Sequence, residues 1–210
     1  MTNIFVSSAR EDAECSEHIL EGLEAKGYSI WREPPSLSLE AFLPSQTSRT
    51  KEENAILGSA TVILIWSGHA AQAEQVKQQL SFAQQLKKQV LSIVIDTTGL
   101  PPALVTSTLS LVNQPPCADA IAQLLLHLPA ADSTDPLITI SRDMTNERIL
   151  TRKEAIDTAA TLLKQDAYRE RVLALLEYVA SNDTMTGVRD KAQEVLDAEK
   201  GGQTPPQRSS

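Results

Sequence analysis

The run Ala60–Trp66, ATVILIW, restricts the fold of this chain more than any other stretch. Every residue but Thr61 is apolar, and β-branched side chains dominate. A half-exposed strand would alternate apolar and polar residues, so an unbroken run of this length between Gly58 and Gly68 reads as a strand buried on both faces. Val90–Ile95 is a second such run. Strands buried on both faces belong to parallel sheets, whose crossover connections place helices above and below. The rest of the chain must then supply helices and strands in alternation.

It does so over the first 129 residues. Asn3–Ser7 (NIFVS) is a short apolar run, and Ser8 followed by Glu11 has the spacing of a capping box. Ser16, Ile19, Leu20 and Leu23 then share one helical face, and Gly27 is placed to end that helix before a strand at Tyr28–Trp31. A short helix is expected from about Arg49 to Leu57, and a glutamine-rich amphipathic helix over Ala73–Lys88. Leu109–Asn113 reads as a weak edge strand and Cys117–Leu128 as a last amphipathic helix. This order gives an α/β fold, a flavodoxin-like three-layer parallel sheet spanning residues 1–129.

Residues 130–136 have the composition of a linker. Leu137–Ser141 alternates like one strand of a small hairpin, and Thr151 with Glu154 repeats the capping-box spacing ahead of a helix to about Gln165. Two further helices are expected at Tyr168–Ala180 and Val188–Ala198. The first of them carries Val172, Leu175, Leu176 and Val179 on one face. Residues 137–199 are therefore expected to form a small, mainly helical module, and residues 200–210 a disordered tail.

Net charge narrows the partners. The chain carries −8 and has no local basic patch, so nucleic acid is not expected. No apolar run approaches the ~18 residues that span a bilayer, and no secretory leader pattern opens the chain; membrane insertion is not expected and the location is read as cytoplasmic. Cys15 and Cys117, with His18, His69 and His127, make no metal-ligand spacing, so no metal site is expected. Neither a Gly-x-Gly-x-x-Gly nor a Walker loop occurs, so a phosphate would have to be held by side chains and helix termini. Trp66-Ser67-Gly68 offers no aspartate at the end of the third strand, which excludes a phosphoacceptor receiver domain.

Three segments, IFVSSAREDAE…ILEGLEAKGYSIW, SATVILIWSGHAAQAEQV and QLKKQVLSIVIDTTGLPPAL, together resemble a bacterial Toll/interleukin receptor (TIR) domain over residues 1–128. The resemblance implies a signalling scaffold that associates with itself, or with another TIR-like protein, through the loop after the second strand. Here that loop holds Glu33, Pro34, Pro35, Ser36, Leu37 and Leu39. Its prolines lower the entropy lost on docking, and its leucines offer apolar anchors; equally, those leucines could tuck the loop onto its own domain. Some TIR domains also cleave the glycosidic bond of NAD, using a glutamate in a Ser-x-Trp-x-x-x-Glu pattern on the helix after the third strand.

Set on that pattern, the chain has Ala73, Gln75 and Gln79 at the three named positions. Gln79 lies at the rim of the stripe formed by Val76, Leu80 and Ala83, where a pocket-facing residue belongs. A neutral amide accepts a hydrogen bond but supplies no charge to a cation-like transition state. Glu74 lies about 140° around the helix and cannot replace it. No catalytic residue and no cofactor is therefore expected, and the function read here is a signalling and assembly module without NAD-cleaving activity. The alternative is an NAD glycohydrolase of a bacterial signalling or defence pathway that uses a non-standard acid, with NAD as ligand or substrate. Ser8, Arg10, Arg32 and Gln79 are the candidates for a nucleotide pocket, because ligands of open α/β sheets bind beyond the carboxyl ends of the strands. The plainer reading of the same residues is a helix cap, two surface arginines and a solvated helix face.

Overall fold

The computed structural model describes residues 2–32, 51–101, 110–112 and 118–201. Five strands form one sheet: β1 (Asn3–Ser7), β2 (Ser29–Ile30), β3 (Thr61–Trp66), β4 (Gln89–Val94) and β5 (Ser110–Val112). All are parallel and lie in the order β2-β1-β3-β4-β5, with Ser7 beside Leu64 and Trp66 beside Val94. This is the flavodoxin-like order, in which the chain leaves β1 in one direction and β3 in the other. The crevice opened by that divergence lies at the carboxyl end of β1.

The ATVILIW run explains the layers. All six residues of β3 are buried. Val62, Leu64 and Trp66 point into one apolar cluster, and Ile63 and Ile65 into the other. The second cluster is closed by α1 (Ala13–Glu24) and α5 (Ala118–Leu125) through Cys15, Ile19, Leu23, Ala120 and Leu124. The first is covered by α2 (Lys51–Gly58), α3 (Gly68–Gln72) and α4 (Glu74–Gln85), and it does not stop there. It continues without a break into α6 (Pro136–Asp143), α7 (Ile149–Leu162), α8 (Asp166–Asn182) and α9 (Thr186–Gly201). Phe82 of α4 meets Tyr178 of α8 edge-on, with ring centroids 4.9 Å apart. The C-terminal helices thus bury their stripes against one another and against the helices on this face of the sheet.

Gly27 ends the α1 turn at φ 88°, in the left-handed region that glycine enters without strain. Three local expectations are corrected. Ser8 does not cap α1; a 3₁₀ turn at Arg10–Asp12 comes first, and the Ser8 hydroxyl donates to Ser16 Oγ at 3.2 Å. Leu137–Ser141 is helical, not a strand. Asp135 accepts the Leu137 amide at 2.9 Å and Pro136 occupies the first turn, a start signal that outweighs five residues of alternation. Thr151 is inside a helix that already begins at Ile149, with Asn146 Oδ1 accepting the Arg148 amide at 2.9 Å upstream.

Arg152, beside Thr151, is buried with Asp183. Its Nη2 donates to Oδ1 at 3.2 Å, while its Nε lies 3.1 Å from Oδ2 but out of line for a hydrogen bond. Its Nη1 donates to the Asn146 carbonyl at 2.8 Å, so this one side chain fixes the α6–α7 and α8–α9 connections together.

The segment 130–136 is strapped to the sheet rather than free of it. The Thr2 amide donates to the Ala131 carbonyl at 2.8 Å, and the Tyr28 hydroxyl to the Pro129 carbonyl at 3.0 Å. Among the described residues no helix is long and apolar enough to cross a membrane.

Candidate functional site

At the end of β1, the hydroxyl of Ser7 is buried and needs an acceptor. It donates to Gln79 Oε1 at 2.6 Å. Gln79, only 8% exposed, turns its amide nitrogen the other way and donates to Glu52 Oε2 at 3.1 Å. Gln75, one turn earlier on α4, donates from Nε2 to Glu52 Oε1 at 2.8 Å. Two glutamine amides therefore hold one carboxylate, which α2 delivers from the far side of the connection between β2 and β3.

Glu52, Gln75 and Gln79 line a cleft of about 310 Å³, with Ser8, Glu17, Trp31 and Arg32 on its other walls. Trp31 is held by stacking on Phe5 at 5.4 Å between ring centroids.

Of the residues expected at a nucleotide pocket, Ser8, Arg32 and Gln79 come together here; Arg10, exposed on the 3₁₀ turn, is not among the cleft's lining residues. Arg32 is not free to take a phosphate. Its Nε and Nη2 donate to the two carboxylate oxygens of Glu24 at 3.1 and 3.0 Å, and its Nη1 donates to Glu17 at 2.6 Å. The hydrogen bond from Arg32 holds the Glu24 carboxyl below its ordinary value, and the same contacts push the guanidinium further above its own. The plainer reading of Arg32, a paired surface arginine, fits these contacts. Gln79, by contrast, is not a solvated face.

The neighbouring turn after β3 is fixed by two aspartates. Ser67 Oγ donates to Asp12 Oδ2 at 2.6 Å and accepts the Ala70 amide at 3.0 Å, capping α3. Asp96 accepts the amides of Gly68 and Thr98, each at 2.7 Å, and these backbone contacts hold its carboxyl below the usual range. His69 is exposed on α3. Among the described residues no group of three or more His, Cys, Asp or Glu could hold a metal ion.

Glu33, Pro34, Pro35, Ser36, Leu37 and Leu39 lie outside the described residues. Glu52 was missed by sequence reasoning. It sits in the first turn of α2, where an acid complements the helix dipole at countless surface positions, so nothing local singles it out.

A parallel sheet in the order β2-β1-β3-β4-β5 with this cleft beyond β1 meets the family comparison at the same residues: a model of the TIR domain matches residues 4–126. The chain belongs to the TIR domain family. No curated protein matches it. TIR domains are signalling and assembly modules that commonly associate with themselves or with other TIR proteins. The matched span ends within two residues of α5, so α6–α9 lie beyond it and form a helical C-terminal region.

Proposed function

We propose that this TIR domain acts as an assembly module without NAD-cleaving activity, joining copies of itself or another TIR protein. The observation that supports it is the engagement of Gln79. At the position where NAD-cleaving TIR domains carry glutamate, the side chain is a neutral amide whose oxygen is taken by Ser7 and whose nitrogen is taken by Glu52. It ties β1 to α4 and α2 and has no negative charge to offer a developing cation. Assembly is assigned to the loop after β2, where Leu37 and Leu39 supply apolar anchors among prolines.

One observation favours a second reading. Glu52 brings a carboxylate to within 3.1 Å of the Gln79 amide, so an NAD glycohydrolase working through a non-standard acid would use Glu52. Incubation of concentrated protein with NAD, with free nicotinamide measured, separates the two. The expected outcome is no release above background from the wild-type chain. Release that Glu52→Gln abolishes would establish the second reading. The assembly role is tested by the double change Leu37→Asp and Leu39→Asp, followed by light scattering over a concentration series with circular dichroism as fold control. Lower association with the fold retained is expected; a wild-type chain that stays monomeric throughout and binds no other TIR protein would overturn it.

A further inference from the structure

The opposite, amino-terminal end of the sheet holds a different arrangement. There α4 closes with Lys87 at φ 52°, a left-handed conformation that is strained for a residue with a Cβ. The Lys87 amide donates to the Gln84 carbonyl and the Lys88 amide to the Ala83 carbonyl, both at 3.0 Å, the Schellman pattern in which glycine is usual. The turn sends the Lys88 side chain inward. Its ammonium donates to the carbonyls of Leu57 at 2.8 Å and Ser59 at 2.7 Å, and lies 3.4 Å from the Ser141 hydroxyl. None of these partners is a carboxylate. Burial, with the charge of Arg171 added to it, pushes Lys88 down to about 7.

Arg171 of α8 is half-buried across the cleft, and among the described residues its guanidinium has no hydrogen-bond or ion-pair partner. Lys87 is paired with Glu170 at 3.1 Å. The cleft has a volume of about 490 Å³, and Leu128 and Ile138 supply apolar wall beside His127. Asp135 also lines it, but one of its carboxylate oxygens is committed to the Leu137 amide as the cap of α6.

Arg171 and Lys88 repel one another across a cleft whose one carboxylate, Asp135, forms an ion pair with neither among the described residues, and the guanidinium has no protein acceptor there. A tetrahedral oxyanion relieves both defects. Its oxygens match the planar fork of an arginine, and its charge offsets the neighbouring ammonium. The volume is that of a small-molecule site, and the apolar wall leaves room for a body beyond the anionic group. We propose that this cleft binds a phosphorylated small molecule, with the phosphate on the guanidinium of Arg171 and beside the ammonium of Lys88. Because Lys87, Lys88 and His127 come from the TIR domain and its margin while Arg171 comes from the helical C-terminal region, the ligand bridges the two. The site is separate from the Gln79 cleft and independent of whether that cleft cleaves NAD.

Calorimetric titration of the full chain with inorganic pyrophosphate, ADP and adenosine tests this. Saturable binding of pyrophosphate and ADP, but not adenosine, is expected. Arg171→Gln, which removes a group with no protein partner, should weaken binding by at least about tenfold, and Gln79→Ala in the other cleft should leave it unchanged. Absence of saturable binding by both phosphate probes, binding that Arg171→Gln leaves intact, or equal loss in Gln79→Ala overturns the proposal. Should Arg171→Gln fail to fold, the wild-type chain still decides. Pyrophosphate is expected to protect Arg171 from an arginine-selective dicarbonyl reagent, read by peptide mass spectrometry, and unchanged modification counts against the site.

Discussion

The two ends of the sheet treat polar groups in opposite ways. At the carboxyl end the strong groups in and beside the cleft are matched: Ser7 with Gln79, Gln79 and Gln75 with Glu52, Arg32 with Glu17 and Glu24. At the amino end Lys88 reaches only carbonyls and a hydroxyl, and Arg171 reaches nothing among the described residues. A cleft whose groups satisfy one another has little to gain from a further ligand. A cleft with unmatched charge, lacking any family motif, has more to gain from a ligand. Position in the fold and chemical need are separate signals, and in this molecule they point to different places.

The largest expected effect that would break this contrast is the pH dependence at the amino end. Lys88 titrates lower in the folded chain than its ordinary value, so between about 7 and that value the unfolded chain binds more protons. Stability should then rise with pH across this window, by at most about 1.4 kcal/mol per unit, and be insensitive to Lys88 below it. Urea midpoints from pH 6.5 to 9.5 measure the rise, and Lys88→Met should flatten it. A wild-type profile as flat as that of Lys88→Met would mean that the ammonium is better compensated than its partners indicate.

At the carboxyl end, Gln79→Leu leaves the Ser7 hydroxyl buried without an acceptor and should cost about 1–3 kcal/mol by denaturant unfolding. Gln79→Glu sets a second carboxylate against Glu52, and like charges at that distance disfavour joint ionisation. Its destabilisation should be relieved by adding Glu52→Gln. Additive losses in that double-mutant cycle would show that the two side chains do not meet.

Arg171→Gln should slightly stabilise the ligand-free chain, by up to about 1 kcal/mol, because it removes repulsion and breaks no bond. A clear loss of thermal stability would reveal an unrecognised partner. The smallest change is expected for Arg32→Gln, since its carboxylate partners are well solvated and screened. If Arg32→Gln costs more than Gln79→Leu, the carboxyl end depends on its rim rather than on its buried hydrogen bonds.

The sequence by itself determined the sheet, because burial on both faces leaves a mark within a few residues: ATVILIW and Val90–Ile95 could serve little else. It also determined the identity of Gln79 and its place at the edge of the α4 stripe, since helical periodicity fixes which side chains face the core. Long amphipathic helices such as α8 were legible for the same reason. Short signals were not: LITIS is compatible with periods of 2 and 3.6, and only the cap at Asp135 and the packing of Leu137, Ile138 and Ile140 chose the helix. Tertiary structure alone decided which charges meet. Glu52 reaches Gln79 across 27 positions, Arg152 reaches Asp183 across 31, and Lys88 comes within 3.4 Å of Ser141 across 53. A residue's type and its neighbours in sequence are the same whether its charge is answered or left alone. The partner is chosen by where the core brings distant helices, and that geometry belongs to the whole chain rather than to any local stretch.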